Sequence, residues 1–264
     1  MPPDIRSSDL DLARRLEAAE AANALHLAQA TTTFDSELIA GGCALFAGVG
    51  SPLTHALGCG LSGPVPAAEV DRLERFFFGR ASDCLIDLCP MADLGLIAAV
   101  MERGYTLIEF NNVLVRPLSA TDAALAPPGL DFEPVTATTR AEWLDVVAGA
   151  FETPLELLES IPLYGQTLLL RDARQARSPA AAAAGSSIVD GVALLFGDAT
   201  LHEARGRGLQ SALIRERLAR AARAGCDLAM ACVLPGSASH RNYERAGFRL
   251  AYMRVNVKRA RPGS

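Results

Sequence analysis

The residues best placed to do chemistry lie between Gly191 and Gly225. Arg205-Gly206-Arg207-Gly208 separates an apolar run of strand length, Val192 to Phe196, from a stretch of helical periodicity that begins at Leu209. A strand, a glycine-rich turn and a helix start together make an anion-binding arrangement. The first turn of a helix carries unpaired N–H groups and the positive end of the helix dipole. Glycines let the backbone come close to a phosphate, and Arg205 and Arg207 add positive charge. No Gly-Lys-Ser/Thr follows, so the turn is not a P-loop. It also lacks the glycine spacing and the ribose-binding acid of a dinucleotide fingerprint. Taken alone, the same residues also fit a plain structural turn.

The helix after the loop is expected to bury Leu209, Ala212, Leu213 and Leu218. That leaves Arg215, Arg217, Arg220 and Arg223 toward solvent, with Gly225 as the C-cap. Further on stands Asn242-Tyr243-Glu244-Arg245-Ala246-Gly247-Phe248. With these two segments at this separation, the chain resembles the GNAT superfamily of acyl-CoA N-acyltransferases. That family's pyrophosphate loop reads R/Q-x-x-G-x-G/A, and Arg205-Gly206-Arg207-Gly208-Leu209-Gln210 lies on it. The resemblance covers Leu130 to Arg259 well and the N-terminal half more faintly.

The resemblance implies a cosubstrate, acetyl-CoA, and a division of labour. Amides of Arg205, Gly206, Arg207, Gly208, Leu209 and Gln210 would hold the CoA pyrophosphate, with Ser211 adding its hydroxyl. Asp198, Ala199 and Thr200 would bond the pantetheine arm through their backbone, and Asn242 lies close by. A backbone N–H there would polarise the thioester carbonyl. Tyr243 would protonate the departing thiolate as the acceptor amine attacks directly. The general base is left open among Asp198, Glu203 and His202, and a water chain or an acceptor that arrives deprotonated would need none. Gln210 departs from the family's Gly or Ala. Gly236 stands where many relatives carry an asparagine.

Beyond the site, one half of the 264 residues are hydrophobic and 21% are charged, so a sizeable core can form. A net charge of −5 argues against general nucleic-acid binding. No run is long and apolar enough for a membrane span, and the N-terminus reads as an Ala-rich amphipathic helix rather than a signal peptide. The six cysteines form no C-x-x-C pair, so free thiols in a reduced cytoplasm are expected, with no metal site.

The chain also repeats itself. Cys84 to Arg116 and Asp227 to Arg259 each run apolar strand, Cys and Pro, short helix, Gly-aromatic turn and long strand. This predicts two copies of one α/β domain in tandem, and the resemblance implies that both are GNAT-like, in a mixed α/β fold: 1–120, a 121–130 linker with its boundary near Pro127-Pro128, and 131–264. Leu130 to Val135 is expected to be a strand, and Thr138 to Phe151 a helix with Trp143, Val146, Val147 and Ala150 on one face. Arg171 to Gly185 reads as a strand end and hairpin loop.

In the first copy, Leu57 to Gly79 matches the loop region. Gly58, Gly60 and Gly63 are present without the Arg or Gln spacing, and Pro64 and Pro66 remove backbone donors. That copy is expected to have lost CoA binding and to serve as structure, with Leu73, Phe76 and Phe77 of its helix against the sheet. The expected function is acetyl transfer to an amine of a small molecule or peptide, by a monomer or homodimer, with no nucleic-acid or membrane partner. A non-catalytic acyl-CoA-binding or sensing protein is the alternative.

Overall fold

The structure, a computed structural model, describes residues 10–125, 130–171 and 179–263. In chain order the elements are α1 (Leu10–Gln29), β1 (Asp35–Ile39), β2 (Gly42–Phe46), β3 (His55–Leu57), α2 (Ala67–Phe78), β4 (Cys84–Leu88), α3 (Leu94–Glu102) and β5 (Thr106–Pro117). They continue as β6 (Asp131–Pro134), α4 (Arg140–Phe151), β7 (Gln166–Arg171), β8 (Ala182–Val189), β9 (Val192–Thr200), α5 (Leu209–Arg223), β10 (Leu228–Val233), α6 (Ala238–Arg245) and β11 (Arg249–Arg259). The repeat is therefore an element-for-element match. β4, α3 and β5 answer to β10, α6 and β11, and Gly104 and Gly247 both turn at positive φ, +75° and +88°.

Two compact units emerge, and they do not follow the chain sequentially. One joins the described part of Ile5–Val113 to that of Leu250–Ser264; the other holds Leu114–Arg249. The long strand of each copy thus belongs largely or partly with the other copy's residues. The expected boundary near Pro127-Pro128 lies outside the described residues. Ala120–Leu125, which overlaps the expected 121–130 linker, is a 3-10 helix.

In the first unit β1 and β2 pair antiparallel, as do β2 and β3, while β3 runs parallel to β4 and β11 antiparallel to β4. Val70, Leu73, Phe76 and Phe77 of α2 join Ile86, Leu96 and Val100 in one core. Burying each such side chain contributes about 1.5–3 kcal/mol. Between β3 and α2 the amide of Gly60 donates to the carbonyl of Ala40 at 2.8 Å, and that of Val65 to Asp93 at 3.1 Å. α1 buries an acid. Glu17 is fully covered and accepts from Tyr252 at 2.7 Å and from Arg254 at 2.7 Å. Glu20 pairs with the same guanidinium, and Asp87 pairs with His55 at 3.3 Å. Glu17 Oε2 has no hydrogen-bond partner. Burial pushes the Glu17 carboxyl up, against the pull of Arg254. Burial disfavours the charged His55, but the Asp87 carboxylate outweighs it and raises the imidazole.

The second unit orders its strands as the end of β5, then β10, β9, β8, β7 and β6. Only β9 and β10 are parallel among the pairs β6–β7, β7–β8, β8–β9 and β9–β10. α4 starts two residues later than the sequence suggests and packs Trp143, Val146, Val147 and Ala150 as expected. Arg171 ends β7, and residues 172–178 of the expected hairpin lie outside the described residues. The alanine run is not loop. Ala182, Ala183 and Ala184 are fully buried in β8, where small side chains admit Ala212 and Leu213 of α5 on one face and α4 on the other.

Candidate active site

The site is built where β9 parts from β10. Their ladder runs from Val192↔Leu228 to Leu195↔Ala231, yet β9 continues to Thr200 and β10 to Val233. On the other edge of β9 the register jumps. Gly185 faces Phe196 and Ala183 faces Ala199, so Gly197 and Asp198 both stand opposite Ala184. This is a β-bulge, and Gly197 supplies its positive φ of +63°. Gly185 makes room beside it: a Cβ there would sit 2.3 Å from the Phe196 ring, which would have to move.

The bulge reverses the alternation of the strand. Ala193 and Leu195 face α5 and α6, so an unbroken strand would turn residue 199 the same way. Instead Ala199 joins the core under α4, and Asp198 turns toward α5 and α6. There the Asp198 carboxylate pairs with Arg217 and accepts the Tyr243 hydroxyl at 2.5 Å. Arg217 was expected in solvent and is 1% exposed. It follows Leu213 by four residues on the buried face of α5, and its guanidinium is neutralised and fully bonded. Burial works against its charge, but Asp198 and Tyr243 together outweigh burial and hold the proton more tightly.

Tyr243 is fully buried on α6, with its ring edge-on to Phe248 at 5.0 Å between centroids. Burial raises its hydroxyl well above the ordinary phenol range. Arg217 opposes that rise and Asp198 adds to it. The phenol is therefore neutral, with its proton directed at Asp198. Both Asp198 oxygens are taken, one by Arg217 and one by Tyr243. Among the other base candidates, His202 and Glu203 lie exposed in a 3-10 turn ahead of the loop.

The glycine-rich loop is open. Arg205, Gly206, Arg207 and Gly208 are exposed, and Gly206 and Gly208 hold φ of +76° and +75°. Gly208 caps α5 with no side-chain bond, and the helix ladder begins with the Ala212 amide on the Gly208 carbonyl at 3.0 Å. Leu209, Gln210 and Ser211 form the first turn, half-buried. Thr200 and Arg205 meet directly: the Arg205 guanidinium donates to the Thr200 carbonyl at 3.3 Å and to the Ala150 carbonyl at 3.1 Å. Arg205 thus braces the loop against the ends of β9 and α4.

Gln210 has a use of its own. Its side-chain amide donates to Ser239 at 2.8 Å and accepts from Asn242 at 2.7 Å. Arg245 then donates to Asn242 at 2.9 Å. The Gln210 and Asn242 side chains therefore tie α5 to α6, which a Gly or Ala at position 210 would not do. Asp198, Tyr243 and the α5 start thus come together in one unit with Ala199, Thr200 and the loop. Among the described residues no group of three or more His, Cys, Asp or Glu could hold a metal, and no helix is long and apolar enough to cross a membrane.

Residues 142–248 match the model of the acetyltransferase (GNAT) family. The chain is similar to a GCN5-related N-acetyltransferase from Kribbella flavida, at 21% identity and a TM-score of 0.70 over 96% of each chain. It is also similar to a GCN5-related N-acetyltransferase from Sphaerobacter thermophilus, at 16% identity and a TM-score of 0.60 over 100% of this chain and 98% of the other. A tandem GNAT protein from the clavulanic acid biosynthesis pathway matches at 13% identity and a TM-score of 0.60 over 97% and 96%. No curated protein matches the sequence significantly. Residues 142–248 thus match the acetyltransferase (GNAT) family model, within a chain that has the mixed-sheet fold of GCN5-related N-acetyltransferases.

Proposed function

We propose that this chain transfers an acetyl group from acetyl-CoA to an amine, and that the Leu114–Arg249 unit carries the reaction. One observation bears most of the weight: an open loop with two positive-φ glycines leads into α5 beside the place where β9 parts from β10. The residues fit the cosubstrate. Amides from Arg205 to Ser211 suit a pyrophosphate at a helix start. The bulged β9 backbone at Asp198, Ala199 and Thr200 suits the amide-bearing pantetheine arm.

The acceptor nitrogen attacks the thioester carbon and the C–S bond breaks. The sulfur takes the Tyr243 proton, the excess proton of the new ammonium goes to solvent, and solvent returns one proton to the Tyr243 phenolate, so that the turnover balances. A desolvated, neutral phenol has the proton that this step needs. Its hydroxyl must exchange Asp198 for the thiolate, an adjustment of the kind that substrate binding brings about. The acceptor is an amine of a small molecule or peptide. The first unit, whose Gly60 and Val65 amides are bonded within the fold, serves as structure without binding CoA. The cytoplasm is the proposed location.

The test is CoA-thiol release from acetyl-CoA across a panel of primary amines. Amine-dependent release supports the proposal. Tight acetyl-CoA binding with no release from any amine supports the sensing alternative, which the engagement of Tyr243 with Asp198 favours.

A further inference from the structure

Arg217 is the largest side chain in the second unit that is both fully buried and charged, and no step above uses it. A guanidinium has five N–H donors in a planar fork. Here the fork is spent on five acceptors. Nε donates to the Leu213 carbonyl at 3.1 Å. Nη1 donates to the Gly185 carbonyl at 2.9 Å and the Phe196 carbonyl at 3.3 Å. Nη2 reaches Asp198 and, at 3.4 Å, the Tyr243 hydroxyl.

Those acceptors surround the bulge. Gly185 and Phe196 form the last register pair before it, and Asp198 is one of its two extra-facing residues. A bulge leaves a backbone group without its ladder partner and bends the strand. Something must fix that bend if the amides beyond it are to meet a ligand at a set angle.

We propose that Arg217 is a positioning residue: by binding Gly185, Phe196 and Asp198 together it locks the β9 bulge and aims the Asp198–Thr200 backbone at the pantetheine arm. This rests on the acetyl-CoA reading of the same site. Lysine cannot replace it, because an ammonium is a point charge with three donors and no planar fork. The nucleotide end of CoA does not touch this device. Its proposed seat is the loop from Arg205 to Ser211.

The division gives the test. CoA and 3′-phosphorylated ADP, the part of CoA that lacks pantetheine, are titrated calorimetrically into the wild type and into Arg217→Lys, with thermal midpoints measured alongside. The expected result is that the wild type binds both, and that Arg217→Lys weakens CoA by about tenfold, the scale of one charged hydrogen bond, while the nucleotide changes less than about twofold. Equal weakening of both ligands would mean general loosening and overturns the proposal. Unchanged CoA affinity overturns it as well, and leaves the acetyl-CoA reading standing. A wild type that binds neither ligand removes that reading and the proposal together. If Arg217→Lys does not fold, Asp198→Asn carries the same comparison, because it keeps the side-chain shape and removes the charge from one of the bonds that Arg217 makes.

Discussion

The two copies in this chain put the same elements to different uses. Each runs strand, helix, Gly-aromatic turn and long strand, and in each a parallel strand pair feeds a helix. At the strand-to-helix loop they diverge. After β9 the loop is exposed, with Gly206 and Gly208 at positive φ and no side-chain cap on α5. After β3 the glycines also turn at positive φ, but an added Cβ at Gly60 would lie 2.9 Å from Leu96, and Gly58 is as close to α1. Gly58 and Gly60 of the first loop are packed into its unit and the Gly60 and Val65 amides are bonded there, while Ser62, Gly63 and Pro64 are exposed. Four residues before the Gly-aromatic turn, the same helix position holds Tyr243 in a polar triad and Val100 in an apolar core. On the proposed reading, a shared fold fixes where a site can form, and a few backbone donors and one polar triad separate the two copies.

The contrast is sharpest at the loops. Gly208→Asp puts a strained side chain and a negative charge at the proposed phosphate seat. Acetyl-CoA affinity is expected to fall by roughly 10²-fold or more, as calorimetry would register. Gly63→Ala, in open space in the first loop, is expected to leave that affinity unchanged. Retained affinity in Gly208→Asp would mean that the loops do not differ as argued.

Next in size is Tyr243→Phe, which keeps the ring against Phe248 and removes the proton. Turnover is expected to drop by about 10²-fold with CoA affinity little altered. An unchanged rate would reduce Tyr243 to a packing residue like Val100.

The buried charges make a third contrast. In the second unit every Arg217 donor is matched, whereas in the first Glu17 Oε2 has no partner and the carboxyl is pushed up. A carboxyl raised on folding contributes stability below its ordinary value, 4.5, and that stability is lost as pH rises through the folded value. His55, raised from 6.5, acts in the same direction at higher pH. Thermal midpoints are therefore expected to decline as pH rises from about 5. Glu17→Gln should flatten the lower part of that decline. A midpoint that climbs over the same range would overturn the account of the Glu17 cluster.

The smallest effect is expected from Gln210→Ala, which unties α5 from α6. A loss of about 0.5–1.5 kcal/mol in denaturant unfolding is predicted, with CoA affinity nearly intact. A large affinity loss would place the Gln210 side chain on the cosubstrate instead.

What the sequence made legible followed from local patterns. The strand–glycine–helix order, the repeat and the buried stripe of α4 are all short-range signals. Four features depended on tertiary context. Arg217 looked solvated by residue type, although its spacing from Leu213 put it on the buried face; only Asp198, the Tyr243 hydroxyl and three carbonyls explain a charge there. The bulge at Gly197 and Asp198 has no one-strand signature, since it exists only as a register against β8. The alanines 182–184 read as loop because nothing in their composition announces a strand, and they suit one because α5 and α4 both press on them. The regrouping of Leu250–Arg259 with the first copy is equally invisible, because β11 has the same pattern as β5 and either could complete either copy.

The central claim is that one copy binds acetyl-CoA and the other does not. Calorimetric titration of the whole chain with acetyl-CoA tests it most directly, through the stoichiometry. One molecule bound per chain, lost in Gly208→Asp, is the predicted result. Two per chain, or one that survives Gly208→Asp, would contradict it.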